Sequence, residues 1–84
     1  MKKRKQQLKE MKKTMTPAAI LFRAEKDGCH TIEIQEAETK KVGVANSCEN
    51  GIAVFYGAED GSDDTIISAD EFNQRFTITA IIDS

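Results

Sequence analysis

The sequence predicts an α+β fold that is mostly β: a small antiparallel sheet or partly open barrel. It also predicts one short helix near 69–76 and a flexible or helical basic arm at the N-terminus. Three observations carry this. The 84 residues include nine Ile, three Val and seven Thr against two Leu, and branching at Cβ suits a pleated surface. Apolar runs alternate with polar ones and are broken by Asp27-Gly28, Asn50-Gly51 and Gly57. Charge is segregated: residues 1–13 carry seven Lys or Arg and one acid, while 14–84 carry five basic and thirteen acidic side chains. That is a cationic arm, 1–15, on an acidic domain, 16–84.

In the arm, Leu8, Met11 and Met15 recur at helical spacing and form a thin apolar stripe. Lys5–Lys9 and Lys9–Lys13 are like-charge pairs at i, i+4, and positive charge opposes the dipole at a helix start. A fraying helix or a disordered arm is expected. All three methionines, Met1, Met11 and Met15, fall here, so a start at Met15 would remove the arm and keep the body.

Thr16-Pro17 admits two continuations. As a helix, Thr16 caps, Pro17 sits in the first turn and Gly28 ends it. As a strand, Ile20–Glu25 turns at Lys26-Asp27-Gly28 and returns along Thr31–Gln35. Asp-Gly between two apolar runs favours the hairpin. Thr31–Gln35 alternates, with Ile32 and Ile34 inward. Lys41–Ala45 also alternates, with Val42 and Val44 inward. Ile52–Tyr56 is an almost unbroken apolar run, as in a strand covered on both faces. Thr65–Ile67 is extended, and Ser68-Ala69-Asp70-Glu71 reads as a capping box opening a helix with Phe72 and Phe76 on one side. Phe76–Ile82 closes the sheet.

Several functions are disfavoured by composition. The chain is too short for a multidomain enzyme or a large substrate cavity. The longest apolar run, Ala18–Phe22, is too short to span a membrane, and polar residues follow the basic start where a signal peptide needs an apolar stretch. A cytoplasmic protein is the expectation. Cys29 and Cys48 form no C-x-x-C pair and read as reduced, partly buried thiols. With the adjacent His30 they lack a fourth metal ligand. His30 is the single histidine, and no nucleophile elbow or phosphate loop accompanies it, so no catalytic residue or cofactor is assigned.

Counting from Asp60, the residues Asp60, Ser62, Asp64, Ile66 (through its carbonyl) and Glu71 fall at positions that resemble an EF-hand calcium loop. Thr65 stands where that loop turns on Gly, the preceding Gly51–Ala58 is a poor helix, and no second loop exists to pair with it. Calcium is therefore an alternative and not the favoured reading.

Residues Gly51–Phe76 offer another likeness. A glycine-led strand, Gly57, a polar turn, a second strand and Ser68-x-x-x-Phe72-x-x-x-Phe76 resemble small phage-encoded β domains of the PGDYG type. Here Asn50-Gly51 replaces the family's Gly-Asp, and Phe76 replaces its usual Tyr. The resemblance implies a phage or prophage-like accessory protein and transfers no functional residue.

The expected function is a non-enzymatic interaction protein. Its partner is another protein, engaged through the acidic surface of Glu59, Asp60, Asp63, Asp64, Asp70 and Glu71 or by strand addition at a sheet edge. The alternative is nucleic-acid association through Lys2, Lys3, Arg4, Lys5, Lys9, Lys12 and Lys13. Against it stand the acidic body and an arm without aromatics for base stacking.

Overall fold

The computed structural model describes residues 2–3, 5–28, 31–57 and 64–83, with side chains within Leu8 to Ile82. The chain runs β1 (Lys2–Lys3), α1 (Lys5–Thr14), α2 (Pro17–Lys26), β2 (Thr31–Glu36), β3 (Val42–Cys48), β4 (Gly51–Phe55), β5 (Thr65–Ile67), α3 (Ala69–Arg75) and β6 (Phe76–Asp83). Strands β2 to β5 form an antiparallel meander. Helix α3 then carries the chain back so that β6 lies beside β2, giving the order β1-β6-β2-β3-β4-β5. The helices share one face of the sheet, the two-layer solution for an antiparallel sheet with one apolar side.

The core joins that face to the helices. Ile32, Ile34, Ala45, Ile52, Val54, Ile67, Ile78 and Ile81 point inward from the strands. Ile20, Leu21 and Ala24 from α2 and Phe72 from α3 meet them. Phe72 and Phe76 are stacked, with centroids 5.3 Å apart at 20°. Alternation along β6 breaks, because Ile78 and Ile81 both face inward although they stand an odd three positions apart. A register shift opposite Glu33/Ile34 pairs Ile34 with Ile78 and Ile32 with Ile81, and so absorbs one extra residue.

Segment 17–26 is a helix, which corrects the favoured hairpin. Thr16 is extended (φ −73°, ψ 159°), and its hydroxyl accepts a hydrogen bond from the Ala19 amide at 3.2 Å. Asp27 and Gly28 donate back to the carbonyls of Arg23 and Glu25, each at 3.0 Å, and Gly28 takes φ +89°. The Asp-Gly pair serves a helix end as well as it serves a hairpin, because both need a residue that tolerates positive φ. Burial follows the helical period, and Phe22, which strand alternation would set beside Ile20, is 45% exposed.

Segment 5–14 is also helical. Leu8 is only 5% exposed, and Met11 and Met15 pack partly against the core, so the thin apolar stripe is anchored. Strand β3 faces opposite to expectation. Val42 is 65% exposed, whereas Ala45 is buried and Gly43 lies on its side of the strand. A Cβ on Gly43 would strike the Phe55 carbonyl. The neighbouring β4 backbone thus leaves no room for a side chain at Gly43, and with Gly43 and buried Ala45 on the inner side the valines take the outer one. Strand β4 buries Ile52 and Val54 but leaves Ala53 and Phe55 half-buried, so one of its faces is uncovered.

A candidate binding edge and its opposite number

Strand β5 ends the sheet. Its three residues pair with β4 in the register Ile52–Ile67, Ala53–Ile66 and Val54–Thr65. Among the described residues no strand pairs with the other side of β5, the arrangement that accepts an added strand. Alternation puts Ile67 in the core and Ile66 on the uncovered face, where it is 54% exposed. Acidic side chains border this edge. Asp64 is exposed just before β5, and Asp70 and Glu71 are exposed in the first turn of α3, where carboxylates favour the helix dipole. Glu59, Asp60, Ser62 and Asp63 lie outside the described residues, as do Cys29, His30 and Arg4.

The capping box is built from the Ser68 side, whose hydroxyl accepts from the Glu71 amide at 3.1 Å. Glu71 itself turns to Arg75, with its Oε2 2.6 Å from Nη1. Of the calcium set, Asp64 and Ile66 bracket the start of β5, and Glu71 is held by that guanidinium. The element before the loop is strand β4 and not a helix, so no helix–loop–helix forms. Among the described residues, no three His, Cys, Asp or Glu side chains cluster to hold a metal ion. Cys48 is a free thiol at the end of β3, and it is exposed where partial burial was expected.

At the opposite edge, β1 covers only the end of β6, pairing Lys2 with Asp83 and Lys3 with Ile82. Helix α1 lies alongside and exposes Lys9, Lys12 and Lys13. Between α1, α2 and β6 opens a groove of about 270 Å³, lined by Lys12, Met15, Pro17, Ile20, Thr77 and Ile78. The described acids near β5 and the lysines of α1 therefore occupy opposite ends of one sheet.

Two features escaped the sequence. Arg75 donates from Nε and Nη2 to Glu36 Oε2 at 3.1 and 2.7 Å, and its guanidinium lies 5.2 Å from the Phe76 ring centroid. Glu36 also accepts from the Thr39 hydroxyl at 2.6 Å. That hydrogen bond and Arg75 hold the Glu36 carboxyl below its ordinary value, and the two carboxylates raise Arg75 further. The Glu71–Arg75 spacing of i, i+4 was the available signal; Glu36 gave none. The second feature is Asn73, whose Oδ1 accepts the Ala18 amide at 2.8 Å and so caps α2 from α3.

No helix among the described residues is long and apolar enough to cross a membrane. No family model, curated protein or solved structure matches the chain.

Proposed function

We propose that this chain is a non-enzymatic binding protein that engages another protein through the β5 edge and the acidic side chains beside it. The observation that carries the reading is Ile66, a large aliphatic residue 54% exposed on a short, open edge strand flanked by Asp64 and Asp70. Backbone pairing would supply affinity, and the acids would select a cationic or lysine-flanked segment. The likeness of Gly51–Phe76 to phage-encoded domains accords with an accessory role in the cytoplasm and assigns no residue. Capture from native host extract tests the reading, using wild-type bait beside Ile66→Lys and Asp64→Lys. A partner retained by wild type and lost from both variants supports it. A partner retained equally by all three sinks it.

A second reading has its own observation. Lys9, Lys12 and Lys13 are exposed on a helix that Leu8, Met11 and Met15 fasten to the core, so these cations are displayed from a fixed support. Such a row suits nucleic-acid phosphates, with affinity falling steeply as salt rises. Titration with mixed DNA and RNA decides: binding unchanged in Lys9→Glu/Lys12→Glu/Lys13→Glu would exclude this surface.

A further inference from the structure

We infer that copies of this chain associate head to tail, the β5 edge of one adding antiparallel to the β6 edge of the next. The inference rests on reading β5 as a binding edge and names its occupant as a second copy.

Both edges are open among the described residues. Strand β5 pairs only with β4, and β1 shields only Ile82 and Asp83 of β6. Lower on β6, Thr77 is exposed and, with Ile78, lines the apolar groove that α1 and α2 complete. The edges are also opposite in charge. Lys12 lines the groove beside β6, with Lys9 and Lys13 exposed on the same helix, and Asp64 and Asp70 flank β5 in the chain. A second copy thus brings to the groove its complement, an aliphatic side chain for the apolar wall and a carboxylate for Lys12.

Strand direction makes the fit specific. Four successive antiparallel pairings separate β6 from β5, so the two run the same way. Antiparallel addition therefore needs the incoming copy turned over about an axis across its strands. Turning it over swaps its faces. Ile66, which looks away from the helices in its own subunit, then looks toward the helices of its neighbour and over the groove. Asp64 is two residues earlier, on the same side of the strand, and faces the α1 lysines. Repetition of this operation is a two-fold screw that does not close, so the product is an open row. A three-residue edge offers few backbone bonds, and its charges are exposed, so the association is weak and screened by salt.

Sedimentation of the full chain tests this, at about 1 mM protein to suit so small an interface. At low ionic strength the average mass should reach at least about twice that of the monomer, growing with concentration because the row stays open. It should return to the monomer at about 1 M salt. Ile66→Lys, Lys12→Glu and Asp64→Lys should each abolish association, and Lys12→Glu with Asp64→Lys in one chain should restore it. These are exposed positions, and circular dichroism of each variant verifies that the fold persists. A monomer at every concentration, or association untouched by Ile66→Lys, overturns the inference. A monomer that still captures a foreign protein through Ile66 overturns the inference alone and leaves the binding edge standing.

Discussion

Arg75 grips Glu36 across the sheet rim: its Nη2 lies 2.7 Å from Glu36 Oε2, while Nη1 reaches Glu71 on its own helix. The Arg75 carbonyl also accepts the Ala37 amide at 2.8 Å. One residue thereby ties the α3–β6 junction to the turn between β2 and β3.

The first prediction concerns acid. Glu36 is held in its charged form, so its folded-state pKa lies below the ordinary 4.5. Its contribution is fully present above that value and is lost as pH falls through the folded pKa. Glu36→Gln should therefore destabilise the protein at neutral pH, and the difference from wild type should vanish well below pH 4.5. Parallel urea titrations at the two pH values measure it. A gap that persists in acid would mean the ion pair is not its source.

The second concerns α1. Leu8→Ala should cost within the roughly 2–5 kcal/mol typical of a buried leucine, because Leu8 is enclosed with the core. Lys13→Ala, on the exposed side, should stay within about 0.5 kcal/mol. Equal, negligible effects in thermal melts would show that the helix is not part of the fold.

The third concerns backbone space. Gly51 adopts φ +143°, and a Cβ there would strike the Ile67 carbonyl of β5. Gly51→Ala should cost roughly 1–3 kcal/mol and loosen the β4–β5 pairing. Hydrogen exchange at Ile67, whose backbone faces β4, reports it, and unchanged protection would refute the close approach.

The fourth concerns a cap. Asn73→Ala removes the acceptor of the Ala18 amide and should cost roughly 1–2 kcal/mol, whereas Asn73→Asp keeps an acceptor and should cost less. Chemical denaturation separates the two. Equal losses would mean the hydrogen bond contributes nothing beyond packing.

Much of the sheet was legible because its signals are local. Ile32 and Ile34 alternate cleanly, Thr65–Ile67 is extended, and Ser68 stands before Phe72 and Phe76 with the spacing of a capped helix. Failures came where one local pattern serves two structures. Asp27-Gly28 ends a helix as readily as it turns a hairpin, and only Ile20, Leu21 and Ala24 meeting the sheet decide between them. Val42 and Val44 alternate convincingly, yet the close approach of the Phe55 carbonyl to Gly43 and the burial of Ala45 set the inner side of β3. The edge position of β5 was hidden for a related reason. Strand order is set when α3 returns β6 to β2, a long-range event that no residue near Ile66 records.

Lys2 and Asp83 are partners on adjacent strands, so the chain enters and leaves the sheet at one corner. Any tag, tether or fused domain at either terminus must emerge there, beside β6 and away from β5. A label meant to spare the acidic side can go on either end. A circular permutant that splices Asp83 to Lys2 through a short linker and opens between β4 and β5 should keep every strand pairing seen here. It would also move the new termini to the far border, where an attached cargo would act as a plug.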